Sequence, residues 1–335
     1  MPKSNGGNYG RNGLFLKIGL TDTPQGRFSA MRLGVLDVGS NTVHLQVVDA
    51  HPGARPNPTT NQKVELRLHE YIDKAGFVTK EGIHLLHSAI DDAVAHAHEF
   101  KTEEILAFAT SAIRDSKNGK EILDELNRKH EIDLQVLTGE EEAAITFLAV
   151  RRWLGWSSGR LLVLDIGGGS LEIAVGEDEA PESTISLPLG ASRLTRDFLT
   201  GDPYKEREIK ELDIYVRESM KNAIPNEIKE HSADRNIATS KTFRTLARLG
   251  NHWFNDDAKF LKISSLEKIV GKLADMSNKQ RGELPGVSES RAGQILTGAI
   301  VAKSAMARLD LAELEICPWA LREGIVLKWL DWMER

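Results

Sequence analysis

The sequence predicts an α/β protein built of two similar domains that face each other across a cleft. Two observations carry this expectation. The stretch LGVLDVGSNTVHLQVVD (33–49) is nearly repeated as LLVLDIGGGSLEIAVG (161–176). Elsewhere, strand-like runs alternate with helical patterns, which gives a layered structure with a largely parallel sheet.

Each repeat is an apolar strand ending in aspartate (Asp37, Asp165), then a Gly-Ser turn, then a second strand with a polar residue at its start. Gly39 in the first turn, and Gly167, Gly168 and Gly169 in the second, can take positive φ at no steric cost and hold no Cβ against an anion. Successive N–H groups in such a turn form an anion-binding nest. Ser40, Asn41, Thr42 and Ser170 add side-chain donors. An aspartate beside a phosphate nest repels the anion unless a cation sits between them. Mg²⁺ is the usual one, held by one or two carboxylates, waters and phosphate oxygens. Glu172, two residues past Ser170, is placed to help hold it. One such turn alone reads as an ordinary glycine hairpin. Two copies, each led by aspartate at the end of an apolar strand, do not. The chain has no G-x-x-x-x-G-K-[ST], and its glycines precede a strand rather than the helix of a dinucleotide fingerprint.

A chain of 335 residues is long enough for two domains with proper cores. Its 41% hydrophobic and 27% charged residues are ordinary for a soluble protein. The formal charge of −6 argues against general nucleic-acid binding but leaves room for a local basic groove. Cys317 stands alone, so neither an intrachain disulfide nor a cysteine-cluster metal site is available. No apolar run approaches the ~18 residues of a membrane helix. The expectation is a cytoplasmic protein with no membrane partner.

Residues 1–30 are rich in Gly and Asn and read as a disordered leader. The N-terminal domain is expected over 31–145 and the C-terminal domain over 146–335. After the first hairpin, 51–62 reads as a loop and 64–72 as a strand. Thr79 caps a helix to Phe100, with Ile83, Leu86, Ile90, Val94 and Ala97 at helical spacing. Residues 104–110 are a strand, 118–130 a helix and 132–138 a strand. Thr138 and Glu141 form a capping box that opens a helix to about Trp153. The second hairpin follows, then a mostly helical half with turns at 201–203 and 283–286. The last helix (Trp319, Leu321, Ile325, Val326, Trp329, Leu330, Trp332) is apolar enough to serve an interface or to pack back on the first domain. His84, His87, His96 and His98 lie on the helix that Thr79 caps. His84 and His87 have i, i+3 spacing. With no carboxylate-rich surroundings, all four read as solvent-facing rather than as ligands.

At this point the residues resemble a known family. Paired phosphate hairpins on two domains are similar to actin-like (ribonuclease H-like) proteins of the ASKHA type. Within them, DVGSNTVHL (37–45), ATSAIRDSKNG (109–119), LTGEEEA (137–143), DIGGGSLEI (165–173), LPLGASRLT (187–195) and ALREGIVL (320–327) resemble the exopolyphosphatase/guanosine pentaphosphate phosphatase family. The resemblance implies metal-dependent (Mg²⁺ or Mn²⁺) hydrolysis of a terminal phosphate. Glu142 matches the catalytic base that activates water. Asp165 and Glu172 match metal-binding carboxylates, with Asp37 as their equivalent in the first hairpin. Arg114 and Arg193 match arginines that hold phosphate, a task that suits the guanidinium fork. A homodimer is also implied.

Two departures shape the expectation. Larger family members carry a helical HD-type domain, and this chain has no His-Asp dipeptide, so shorter polyphosphates are the better expectation. At 236–250 the turn is Thr-Ser-Lys-Thr, with no glycine pair to admit a nucleoside. That weakens a sugar- or acid-kinase reading. On the helix that follows, Lys241, Arg244 and Arg248 fall on one face. They are a candidate track for a polyphosphate tail, or simply a solvated basic face. The partner expected is inorganic polyphosphate. Guanosine pentaphosphate is the alternative substrate, and a silent phosphate or nucleotide sensor is the alternative of another class.

Overall fold

The computed structural model describes residues 30–53 and 55–333, so the expected leader lies outside the described residues. The first half holds β1 (Met31–Val38), β2 (Thr42–Ala50), β3 (Pro58–Glu65), α1 (Lys80–Glu99), β4 (Glu104–Ala109), α2 (Ser111–Arg114), α3 (Gly119–His130), β5 (Leu134–Val136) and α4 (Gly139–Leu154). The second half holds β6 (Leu161–Ile166), β7 (Leu171–Gly176), β8 (Ser183–Leu187), α5 (Ala191–Phe198), α6 (Glu206–Ala223), α7 (Asn226–Lys229), β9 (Arg235–Thr239) and α8 (Ser240–Phe254). It ends with β10 (Phe260–Lys262), α9 (Ile263–Ala274), α10 (Asn278–Gly282), α11 (Ile295–Arg308), β11 (Glu313–Ile316) and α12 (Leu321–Met333).

The repeat extends beyond the hairpins. One sheet runs β3-β2-β1-β4-β5 and the other β10-β11-β9-β6-β7-β8. Each opens with an antiparallel meander, and its first strand then pairs in parallel with a later one: β1 with β4, β6 with β9. The expected two-sheet α/β architecture is therefore present.

Two expectations about the segment after β2 are corrected. Residues 58–62, read as loop, form most of β3, and Leu68–Tyr71, read as strand, is a 3₁₀ turn. β3 is an edge strand whose residues alternate between exposed and half-buried. Such a strand needs no apolar run, and a proline at its first position costs no ladder bond. Leu66 and Leu68 are buried by the turn rather than by strand pairing.

Two helices are exchanged between the halves. α4 follows the first sheet but packs on the second, with Ala143, Phe147 and Val150 against Leu161, Val163 and Ala174. α12 follows the second sheet but packs on the first, with Ile325, Val326 and Trp329 against Leu33, Val35 and Phe108. The helices also touch each other, since a Cβ on Gly324 would lie 2.2 Å from the Ile145 carbonyl oxygen. Trp329 is 1% exposed, so this face is core and not an interface between copies. Truncating so large a buried side chain costs about 3–5 kcal/mol.

His87 is also corrected. It is buried, with Nδ1 2.8 Å from His130 Nε2 and Nε2 3.0 Å from Glu125 Oε1. It falls on the same stripe as Leu86 and Ile90, so α3 covers it. His84 and His98 are exposed and His96 is half-buried.

Candidate functional site

The two turns are built alike. Gly39 N–H donates to the Thr42 carbonyl at 3.0 Å, and Gly167 N–H to the Ser170 carbonyl at 2.9 Å. In each, a neighbouring segment ties the turn's carbonyls back. Leu66 and Arg67 N–H groups donate to the Asn41 carbonyl, and His69 N–H to that of Ser40. In the second turn, α5 does this with its own first N–H groups. Ala191 donates to the Gly167 carbonyl at 3.0 Å, and Ser192 and Arg193 to that of Gly168 at 2.9 and 3.0 Å. Arg193 Nε adds a bond of 2.9 Å to the Gly169 carbonyl. A trans peptide points its N–H opposite to its C=O. With these carbonyls anchored, the N–H groups of Asn41 and Thr42, and of Gly168, Gly169 and Ser170, face the other way. That is the orientation an anion nest requires.

The expected side-chain donors are used differently. Ser40 Oγ lies 3.1 Å from Ser111 Oγ. Asn41 Oδ1 accepts from Ser192 Oγ at 2.9 Å, and Asn41 Nδ2 donates to Gln294 Oε1 at 3.2 Å. The Ser170 hydroxyl serves Glu172. The side chains of Ser40, Asn41 and Ser170 thus join protein to protein, which leaves the backbone N–H groups and the Thr42 hydroxyl as the expected anion donors. The joins close the base of the cleft: a Cβ on Gly169 would lie 2.2 Å from Ser111 Oγ, and one on Gly168 2.8 Å from Ser40 Cβ.

Four carboxylates gather where the hairpins meet. Asp165 and Glu172 are direct cross-strand partners, as are Asp37 and His44 in the first hairpin. Partners of this kind project from the same face, and like charges there repel. Burial first, then Glu142 and Asp165, push Glu172 well above the usual carboxylate range. Burial and the neighbouring Asp37 push Asp165 up to about 6, against the pull of Arg244. Burial also raises Asp37, against the pull of Arg322. Glu142 is pushed up to about 7 by burial, with Asp165 and Asp37 adding and Arg114 opposing.

Among the described residues no group of three or more His, Cys, Asp and Glu side chains is placed to hold a metal ion. Asp37, Asp165 and Glu172 therefore form no ready three-carboxylate cage in this geometry. The cross-strand pair does fit Mg²⁺, which takes one or two carboxylates and leaves its other positions to water and phosphate. Its donors are hard oxygens, raised in pKa first by burial and then by neighbouring carboxylates.

The helix carrying Glu142 starts as the sequence indicated. Thr138 Oγ1 accepts from Glu141 N–H at 3.1 Å, and Glu141 Oε2 accepts from Thr138 N–H at 2.9 Å. Glu142 Oε2 instead accepts from Arg114 Nη1 at 3.1 Å. Arg193 comes in from α5 and reaches Asp115, next to Arg114. On α8, Arg244 Nη1 donates to the Pro318 carbonyl at 3.2 Å and the side chain lies near Asp165, whereas Lys241 and Arg248 are exposed.

Two site residues escaped the sequence reading. Arg322, on α12, donates to His44 Nδ1 and lies 3.5 Å from Asp37 Oδ2. Its segment had been matched, but nothing local shows that the last helix reaches the first turn. Arg291 has no motif at all, and it faces Lys241 and Arg244. Burial, then the nearby Arg322 and Lys63, lower His44 to about 4, so its ring is neutral and accepts at Nδ1.

A profile of the Ppx/GppA phosphatase family matches residues 46–333. The chain is 47% identical over 305 residues to exopolyphosphatase 1 of Mycobacterium tuberculosis, covering 90% of this chain and 89% of that protein. It is 44% identical to exopolyphosphatase 1 of Mycobacterium leprae, covering 90% of each. The fold is similar to a crystal structure of an exopolyphosphatase from Cytophaga hutchinsonii, with TM-score 0.79, 25% identity, and coverage of 90% of this chain and 98% of that one. Sequence match and overall fold agree, and the chain belongs to the Ppx/GppA phosphatase family.

Proposed function

We propose that the protein is a metal-dependent exopolyphosphatase that releases orthophosphate from the ends of inorganic polyphosphate, with short chains preferred. The observation that carries this is Glu142. Its carboxyl, raised to about 7, is poised between acid and base at neutral pH and is held by Arg114 beside the second hairpin's carboxylates. A general base works best with a pKa near the working pH. Two relatives that match over nine-tenths of this chain are named exopolyphosphatases, which supports the same substrate.

In this reading the N–H groups of both turns bind the terminal phosphate. Arg114 and Arg193 offset the charge on the transferring group, and Glu142 orients the in-line water and takes its proton. Asp165 and Glu172 would hold Mg²⁺ or Mn²⁺, which supplies charge neutralisation on phosphate oxygens. Lys241, Arg244 and Arg248, joined by Arg291 and by Lys63 from β3, would carry the tail. The cavity between α8 and α11, lined by Lys241, Thr242, Thr245, Arg291 and Gln294, is only about 10 Å³, room for one water and none for a base.

The test is phosphate release from tripolyphosphate, long-chain polyphosphate, guanosine pentaphosphate and ATP, with Mg²⁺ and with EDTA. Turnover of polyphosphate that falls on the order of 10²–10⁴-fold in Glu142→Gln, with KM kept, is expected. Turnover of guanosine pentaphosphate alone refutes the substrate assignment, and silence on all four leaves a sensor.

A further inference from the structure

Asp115 has no part in the roles above, yet it stands where the two halves of the phosphate grip meet. Its Oδ1 accepts from Arg114 Nε at 3.0 Å, and its Oδ2 accepts from Arg193 Nη2. The two arginines come from opposite halves of the molecule, one from α2 and one from α5. Each is held at a second point. Arg114 Nη1 donates to the Leu137 carbonyl at 3.2 Å and to Glu142 Oε2 at 3.1 Å. Arg193 Nε donates to the Gly169 carbonyl. One chain of bonds therefore runs from the second turn through Arg193, Asp115 and Arg114 to Glu142.

A guanidinium has five N–H donors on three nitrogens in a rigid plane. With two nitrogens of each arginine held, Arg114 Nη2 and Arg193 Nη1 are the ones without a protein partner among the described residues. We propose that Asp115 is a positioning residue: it locks Arg114 and Arg193 together across the cleft so that these two nitrogens face the transferring phosphoryl group. The inference rests on the exopolyphosphatase reading and deepens it.

The charges give the expected signature. Two unpaired guanidiniums side by side repel each other, and a carboxylate between them turns that into attraction on both sides. The same carboxylate opposes an arriving polyanion. Asp115 thus aids orientation, which counts in the transition state, at the expense of ground-state affinity. Removing it lowers kcat without raising KM. The side chains of Asp115, Arg193 and Arg114 are 33%, 26% and 19% exposed. An ion pair with only a structural role at such a site contributes little and would leave both constants alone.

The experiment compares wild type, Asp115→Asn, Asp115→Ala, Arg193→Ala and Asp115→Asn/Arg193→Ala on tripolyphosphate with Mg²⁺. Thermal melting gives the folded fraction to which each kcat is referred. The inference expects Asp115→Asn and Asp115→Ala to lose roughly 10–100-fold in kcat at equal or lower KM. Within the Arg193→Ala background the loss shrinks, because only the Arg114 half of the lock is left to lose. An unchanged kcat, a raised KM at unchanged kcat, or the same loss in both backgrounds overturns the inference while the exopolyphosphatase reading stands. Wild type that releases no phosphate overturns both.

Discussion

Gly190→Ala tests the way α5 holds the second turn in place. Gly190 immediately precedes α5 and has φ −72° and ψ 149°, which any residue adopts. The demand for glycine is therefore spatial. An added Cβ would lie 2.2 Å from Gly169 C, 2.3 Å from Ser170 N and 2.4 Å from Gly169 Cα. All three atoms are backbone, so no rotamer change relieves the clash, and α5 and the turn must separate by about 1.3 Å or more to reach ordinary contact. The bonds from Ala191, Ser192 and Arg193 to the turn's carbonyls, now 2.9–3.0 Å, then fail. Overpacking of this kind costs about 1–3 kcal/mol. A misplacement of about 1 Å at reacting groups costs on the order of 10²-fold in rate. The assay is urea unfolding beside steady-state hydrolysis of tripolyphosphate. Gly271→Ala is the control, because its Cβ would meet nothing within 4 Å and it lies inside α9. That change should stabilise by about 0.5–1 kcal/mol and leave turnover alone. Wild-type kcat in Gly190→Ala would refute the idea that α5 sets the turn, and lost stability with kcat intact would show that the helix moves and the turn does not.

Three further outcomes follow. His44, held neutral with a pKa of about 4 against 6.5 when unfolded, contributes stability that is complete above pH 6.5 and lost as pH falls toward 4. The loss is about 3 kcal/mol; urea midpoints from pH 4 to 7 should drop less steeply in His44→Asn, and equal slopes refute the assignment. Mg²⁺ alone should raise the melting temperature, more at pH 8 than at pH 6, because protons compete for Asp165 and Glu172; no rise at either pH counts against the metal pair. Replacing Lys241, Arg244 and Arg248 together by Gln should raise KM more for long chains than for tripolyphosphate, and an equal rise at every length defeats the tail track.

Much of the site was readable because it is local. Asp165 and Glu172 belong to one tight hairpin, so their pairing follows from the turn, and Thr138 with Glu141 announces the helix that carries Glu142. His87 was readable too, since it shares a stripe with Leu86 and Ile90, but polar character was given more weight than period. β3 misled for the opposite reason: an edge strand hides only one side and needs little apolar sequence. What could not be read is what the chain assembles from afar. No local pattern tells that Arg322 reaches Asp37, that α5 binds the carbonyls of the second turn, or that one carboxylate, Asp115, joins arginines from both halves.

The exchanged helices bear on how the molecule is made. The strands of the first sheet leave the ribosome early, yet Leu33, Val35 and Phe108 are covered by Ile325, Val326 and Trp329. Until those residues emerge, one face of an otherwise formed sheet stays bare, an exposure of the kind that recruits chaperones or invites aggregation. The contact that seals it spans nearly the whole described chain, and so late a closure ties the first half's maturation to synthesis of the last helix. Arg322 arrives on the same helix, so Asp37 beside the first turn gains its guanidinium only when that core is sealed.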